Sequence, residues 1–218
     1  MKKIALLAIA ALTATMSANA QYYNTKHEVR LSVGSASNSE IISGLSEAFG
    51  SLGEIMVTSI MTAGNVYAFD SYENEKYLPS LAVGYYYNVS KMVAVGGYFA
   101  MNGMTRDIYG HLKTASRDSK KKIGESDRYN FSLMPSVKLH WVRTKYFGFY
   151  SKVGIGAMLM TEKAESDNDG TSKSDSDLMF DFDITPIGLD AGTEHIRAFA
   201  EFGLSEQGML CGGLRYKF

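Results

Sequence analysis

Three prolines, one tryptophan, four histidines and a single cysteine are spread over 218 residues, and each scarcity removes something. Cys211 is the one cysteine, so no intrachain disulfide can form. No histidine stands near it in sequence to make it a catalytic thiol, and its expected role is a small buried filler. The histidines and Cys211 show no metal-ligand spacing. A surplus of one charge is missing too: 22 Lys and Arg against 23 Asp and Glu leave a formal charge of −1, which gives no reason to expect nucleic acid as a partner. Beyond residue 12 no apolar run approaches the ~20 residues of a membrane-spanning helix. If such a chain enters a membrane it does so as a closed β-barrel, the other architecture that satisfies every backbone group in lipid.

What is present begins with "MKKIALLAIAALTATMSANA", residues 1–20. Lys2 and Lys3, an apolar run from Ile4 to Leu12, and small residues at Ala18 and Ala20 have the layout of a secretory signal peptide. The run is short and fades into Thr13, Thr15, Ser17 and Asn19, which disfavours a spanning helix. Residue 21 is Gln rather than Cys, so no amino-terminal lipid anchor is expected. Losing Lys2 and Lys3 would take the formal charge from −1 to −3. The remainder, 21–218, is expected to be one domain, since all-β barrels of this size are routinely single domains.

The mature part offers eight candidate strands. In "RYNFSLMPSVKLHWV" the residues Tyr129, Phe131, Leu133, Pro135, Val137, Leu139 and Trp141 alternate with Asn130, Ser132, Met134, Ser136, Lys138 and His140, the period-2 pattern of a strand with one apolar face. "HIRAFAEFGL" sets Ile196, Ala198, Ala200, Phe202 and Leu204 against His195, Arg197, Phe199, Glu201 and Gly203. Phe180, Phe182 and Ile184 oppose Asp181, Asp183 and Thr185. Residues 146–160 oppose Phe147, Phe149, Val153, Ile155 and Leu159 to Tyr150, Lys152, Gly154 and Gly156. Weaker alternation marks 26–36, 78–88 and 92–104. The last strand places Leu210, Gly212, Leu214, Tyr216 and Phe218 on one face.

Connections fall into two classes. Those near 88–91, 143–145 and 190–194 are short, while 37–77, 105–127 and 161–177 are long and polar, with a brief fourth at 205–208. Short periplasmic turns alternating with longer external loops are the layout of an outer-membrane barrel, and an even strand number puts both termini on the periplasmic side. Pro79, Pro135 and Pro186 fall inside candidate strands, where bulges or strand ends are expected. Ile41, Leu45, Phe49, Leu52 and Met56 recur at helical spacing and predict an amphipathic helix within the first long connection.

The runs "RAFAEFGLSEQGMLCGGLRYKF", "GYYYNVSKMVAVGGYF" and "LMPSVKLHWVRTKYFGFYSKVGIG" together resemble the small outer-membrane β-barrel proteins common in Bacteroidota, over most of the mature chain. The resemblance implies that Leu214, Tyr216 and Phe218, alternating and apolar on the final strand, are the signal read by the barrel-assembly machinery. It implies no particular task.

Charges expected on inward faces are Glu28, Arg30, Lys138, Lys152, Asp181, Asp183, Arg197, Glu201 and Arg215, with Lys217. An eight-stranded barrel is wide enough only for its own side chains, so these predict a lumen of ion pairs and hydrogen bonds rather than an open pore. The run "KTASRDSKKK" carries Lys113, Arg117, Lys120, Lys121 and Lys122 at the predicted outer face, where the phosphates of lipopolysaccharide are the nearest polyanions. Glu165, Asp167 and Asp169 before Gly170 partly resemble a calcium loop, but Ser176 takes the place of the bidentate Glu, and a solvated acidic loop is the stronger reading.

The expectation is therefore an all-β, eight-stranded antiparallel up-and-down transmembrane β-barrel in the outer membrane of a Gram-negative bacterium. It is non-enzymatic, needs no cofactor, and acts structurally or through its external loops on a partner the sequence does not identify. A small passive channel or transporter component is the alternative. A lipid-modifying enzyme is the second, with His111 and its Ser and Asp neighbours as its best residues. A soluble ligand-binding barrel is disfavoured, because Tyr85, Tyr87, Phe131, Trp141, Phe147 and Phe218 would be wet; in a membrane they suit the interfacial girdles.

Overall fold

The computed structural model describes residues 25–41, 66–112, 120–166 and 172–218. Eight strands follow one another: β1 His27–Ser35, β2 Val66–Asn88, β3 Val93–Leu112, β4 Lys120–Arg143, β5 Phe147–Ser166, β6 Ser172–Gly192, β7 Ile196–Leu204 and β8 Leu210–Lys217. Each pairs antiparallel with its neighbours, and β1 pairs with β8 from Glu28↔Lys217 to Ser35↔Leu210, which closes the sheet into a barrel. Closure leaves no free edge around the ring.

The alternation works in the reverse sense to that of a soluble protein. Outward residues are apolar and bare: Leu31 is 63% exposed, Leu133 63% and Ile155 67%. Inward residues are polar and covered, among them Arg30 at 1% and Lys138 at 0%. Trp141, Tyr146, Phe147, Tyr216 and Phe218 ring the outside at the short-turn end, while Tyr77 and Tyr129 are exposed towards the other.

The long connections expected at 105–127 and 161–177 are mostly strand. β2 to β6 run for 23, 20, 24, 20 and 21 residues, whereas β1, β7 and β8 have 9, 9 and 8. About 9–11 residues suffice to cross a bilayer, so half of each long strand stands beyond the apolar belt. That is roughly 30 Å of ladder at ~3.3 Å per residue. Those polar segments stay extended because the hydrogen bonds of the belt continue through them, with Thr105↔Asp127 and Asp107↔Glu125 still in register. In the first connection residues 38–41 are helical. The rest of the expected amphipathic helix, like the signal peptide, lies outside the described residues.

The prolines divide. Pro79 and Pro186 sit at irregularities, between Leu78 and Leu81 against β3 and between Ile184 and Ile187 against β7. Pro135 does not. It pairs with Gly97 in register, and the β4–β5 ladder keeps one register on either side of it, from Leu133↔Ala157 to Ser136↔Gly154. The expected bulge is replaced by a local gap in hydrogen bonding, which a long ladder with two neighbours tolerates.

The β7–β8 turn is held against the end of β1. Met209 N–H donates to Ala36 O at 2.8 Å and Gly208 N–H to Ser205 O at 3.1 Å. Gly208 has φ +112, and a Cβ there would lie 2.6 Å from both N and O of Ser35. Gly208→Val should therefore cost about 1–3 kcal/mol for backbone strain alone, seen as a lower urea midpoint of the refolded barrel. An unchanged midpoint would show that the turn relaxes freely.

Candidate functional site

The narrow lumen brings side chains from distant strands together in three layers. In the middle, Glu201 of β7 is the hub. Arg30 of β1 grips it through Nη1 at 2.6 Å and Nη2 at 2.9 Å, Lys152 of β5 donates at 2.8 Å and Tyr150 Oη at 2.7 Å. Lys152 also pairs with Asp183 of β6 at 3.0 Å, and Thr185 donates to the other Asp183 oxygen at 2.7 Å. Such two-pronged Arg–carboxylate contacts are short and directional. Phe199 lies between two guanidiniums, with Arg30 Cζ 4.1 Å and Arg215 Cζ 4.6 Å from its ring centre.

Towards the short turns, Lys138 donates to Glu28 at 2.6 Å with its ammonium 3.9 Å from the Tyr86 ring centre. Asp190 accepts from Arg197 at 2.6 Å and Arg215 at 3.1 Å. Arg215 also donates to Tyr150 Oη. Arg197 further caps the carbonyls of Thr144 at 2.8 Å and Lys145 at 2.6 Å, tying the lumen to a turn.

The third layer closes the lumen below the long hairpins. Glu206 accepts from Ser39 Oγ at 2.5 Å, Ser39 N at 3.1 Å and Asn102 Nδ2 at 2.6 Å. Asp181 accepts from Ser132 Oγ at 2.5 Å, Asn38 Nδ2 at 3.2 Å and Phe182 N at 2.8 Å. Both carboxylates are stabilised by neutral donors. Gln207 joins this cap to the middle layer, its Oε1 accepting from Arg30 and Ser32 at 2.9 and 3.0 Å.

The structure places Glu28, Arg30, Lys138, Lys152, Asp181, Asp183, Arg197, Glu201 and Arg215 together in this lumen, all buried. Lys217 is buried there too, and Cys211 Sγ approaches Glu201 at 3.5 Å. Sequence reasoning missed Glu206 and Gln207. It put 205–208 among the external connections, but this turn is lower than its neighbours, so its side chains drop inward and are almost fully buried. It missed Asp190 as well, which had been assigned to a turn and lies in β6.

Leu214, Tyr216 and Phe218 face outward at 60, 50 and 51% exposure. Phe218 exchanges two backbone hydrogen bonds with His27, and its ring stacks on His27 at 5.3 Å and on Tyr216 at 5.7 Å.

Of the outer basic residues, Lys113 and Arg117 lie outside the described residues, and so do the side chains of Lys120 and Lys121. Lys122 is engaged: it pairs with Asp107 at 2.7 Å and with Glu125. Hydrogen bonds to these two carboxylates hold its proton more tightly than in an ordinary lysine, and bonds from Lys122 and Asn74 hold Asp107 below its usual range. Nearby, burial pushes the Glu162 carboxyl up, but Arg128, the Ser126 hydroxyl and Arg106 more than offset this and leave it lowered. Glu165, the start of the partial calcium pattern, is the last-but-one residue of β5, opposite Ser172, and Ser176 lies within β6 opposite Thr161. Asp167, Asp169 and Gly170 lie outside the described residues. Among the described residues no three His, Cys, Asp or Glu side chains gather as metal ligands.

No family model matches the chain, and no curated protein does. Among solved structures it is similar to Ail, the attachment invasion locus protein of Yersinia pestis, at 14% identity and a TM-score of 0.45 over 92% of this chain and all (100%) of that one. The same protein in complex with the heparin analogue sucrose octasulfate matches at 15% and 0.44, over 88% of this chain and 99% of that one. At that identity and score the likeness adds nothing to what the strand ladders establish.

Removing one partner from the buried hub leaves the others charged and uncompensated. Glu201→Gln should destabilise the barrel by about 3–5 kcal/mol, whereas Lys122→Gln, at the wetter rim, should cost no more than about 1 kcal/mol. Urea titration of both variants checks the contrast, and equal midpoints would remove Glu201 from the centre of the network.

Proposed function

We propose that the chain is an integral outer-membrane barrel of a Gram-negative bacterium, exported with loss of residues 1–20, and that it works as a non-enzymatic interaction protein through its protruding sheet. Its short turns and both termini face the periplasm in this reading. The supporting observation for the membrane is the closed ring with bare apolar side chains outside and charged ones inside, an arrangement that water would oppose and lipid favours. Outer-membrane lipid, lipopolysaccharide and, during biogenesis, the barrel-assembly machinery are the partners it implies. With Lys122 already paired, any contact with lipid phosphates would fall to Lys113, Arg117, Lys120 and Lys121.

The observation that carries the interaction role is the edge of β6. β7 first pairs with β6 at Ile184↔Leu204, so Ser172 to Asp181 have a ladder partner in β5 but none on the other side among the described residues. The β5–β6 ladder is regular from Ser172 to Thr185, and residues 174–180 are exposed on both faces. An unpaired, bulge-free edge is a template for an extended segment of another chain. Asp175 and Asp177 along it favour a basic one. The opposite edge, β2, is broken by register shifts near Val66, Phe69, Glu73 and Leu78 and carries Pro79, features that blunt pairing.

The protein should fractionate with outer membranes and run anomalously on gels unless boiled, because a closed hydrogen-bonded ring resists detergent. Recovery as a soluble periplasmic monomer would end the membrane reading. A photo-crosslinker at Ser174 or Ser176 should give discrete adducts on intact cells, and one at Ser151 should not. Identical patterns at all three positions would leave the β6 edge without a role. In planar bilayers no large, long-lived conductance should appear, since the three layers fill the lumen; reproducible porin-like openings would favour a channel.

A further inference from the structure

The apolar wall that the barrel turns outward is not equally tall all round. Its height follows from a chain of paired positions: Ala191↔Ala198, Ala198↔Leu214, Leu214↔Leu31, Leu31↔Val83, Val83↔Phe99, Phe99↔Leu133, Leu133↔Ala157 and Ala157↔Phe180. One circuit leaves β6 at Ala191 and returns to it at Phe180, eleven residues nearer the long hairpins. A stagger of that size goes with strands tilted by about 40°, so each residue climbs roughly 2.5 Å along the barrel axis and each step to the next strand roughly 3.4 Å. Measured from Ala191, the lower residues Ile196, Tyr216, Trp141 and Phe147 then fall within about 2 Å of one level. The floor of the barrel is flat.

Its upper rim slopes. On β4, β5 and β6 the outward apolar face reaches Tyr129, Leu159 and Phe180, about 27–30 Å up, whereas on β1, β7 and β8 it ends at Val33, Leu204 and Leu210, about 15–18 Å up. All six side chains are exposed. The apolar band of an outer-membrane barrel is about 25 Å tall, so the first flank matches it and the second stops roughly 10 Å short. Next above the short flank are polar residues, Ser205, Glu206 and Gln207 of the β7–β8 turn and Ser37, Asn38 and Ser39 beyond β1.

The edge of β6 tells the same story independently. Its ladder with β7 stops at Ile184↔Leu204, so Phe182 and Asp181, about 22–25 Å up, have no partner strand on that side among the described residues. Asn38 Nδ2 donates to Phe182 O at 2.8 Å, as a polar side chain does where a strand has ended. Hydrocarbon does not tolerate an open sheet edge. A short apolar face and an open edge therefore both call for a wet surface at a depth where β4 and β5 still face lipid.

We propose that the β7–β8–β1 flank is a lipid-headgroup surface, against which the headgroups of the leaflet on the long-hairpin side descend by roughly 10 Å, thinning that leaflet locally while it keeps full depth beside β4 and β5. This rests on the membrane location proposed above. A bilayer accommodates a short apolar face by thinning. The consequence for β6 is access, since an extended segment arriving from water meets the open edge without crossing acyl chains.

The experiment uses residues 21–218 with Cys211→Ala, refolded into dioleoylphosphatidylcholine vesicles and spin-labelled at one introduced cysteine at a time. Leu204→Cys and Leu210→Cys report the short flank. Leu133→Cys and Ile155→Cys, at nearly the same height of about 19–20 Å, report the tall one. On the tall flank the label should relax mainly through oxygen, which concentrates in hydrocarbon. On the short flank the ratio should invert in favour of a water-soluble nickel chelate. Two sites on each flank preserve the comparison if one variant fails to refold. Tyr216→Cys and Trp141→Cys, both at the floor, should behave alike. Oxygen dominance at all four upper sites would show a flat leaflet and overturn the proposal. Shielding of Leu204 and Leu210 from both reagents would overturn it as well, because protein rather than lipid would then cover the flank. A mismatch between Tyr216 and Trp141 would mean that the whole barrel leans, and would also overturn it. Nickel dominance at Leu133 and Ile155 too would overturn the membrane location itself.

Discussion

The constraint on which everything else rests is the β1–β8 ladder. It joins the two ends of the described chain through eight paired positions, Glu28↔Lys217 to Ser35↔Leu210. Once the sheet is closed, every residue in it must face either the lumen or the outside, because a strand alternates and a one-residue slip would turn the whole strand over. A slip at this seam would either move Leu31 and Val33 of β1 into a lumen full of charge and push Arg30 outward, or do the same to Leu214 and Arg215 of β8. The register is thus fixed from both faces at once. The rings of His27, Phe218 and Tyr216 reinforce it at its lower end.

Closure also explains why the lumen is charged and yet crowded. Eight strands enclose too little space for water to solvate Arg30, Lys138, Lys152 and Arg215 individually, so each must find its acceptor on another strand. Glu201 is shared by β1, β5 and β7, and Asp190 by β6, β7 and β8. Apart from Asp190–Arg197, these contacts reach past the adjacent strand, where the backbone ladders run only between neighbours. A barrel held by ladders alone could flatten or shear. Cross-lumen pairs oppose this, since losing one partner strands a buried charge.

How much of this was legible depended on whether the two faces of a strand differed. Between Tyr129 and Trp141 one face is apolar and the other polar, and the strand reads directly. Above the belt the contrast between faces is blurred: Thr105 and Asp107 point one way, and Arg106 points the other between Met104 and Ile108. Periodicity then carries no contrast, and strand looks like loop. The inward charges could be read because each sits on a strand with an apolar opposite face. Glu206 and Gln207 could not, because a five-residue turn has no period, and their burial follows from the turn's depth relative to taller neighbours. Pro135 misled for a related reason. A proline argues against a central strand only if its missing N–H would leave a partner stranded, and the unbroken register around it shows that the ladder spans the gap.

The unequal strand lengths have the same origin as the edge. If all eight strands had continued upward together, the protruding part would have been a second closed ring with nothing to offer a partner. β1, β7 and β8 stop instead at Ser35, Leu204 and Leu210, and the polar cap of Ser39, Asn102, Asn130 and Glu206 seals the lumen close to that level. Above it the wall is five strands wide and ends on β6. The membrane part needs closure, since lipid leaves an open edge unsatisfied; the part above does not, since water can solvate one. The short-strand side therefore marks the change of solvent along the barrel axis. It places the edge of β6 that has no ladder partner among the described residues in the aqueous zone, where a backbone can exchange water for the strand of another protein.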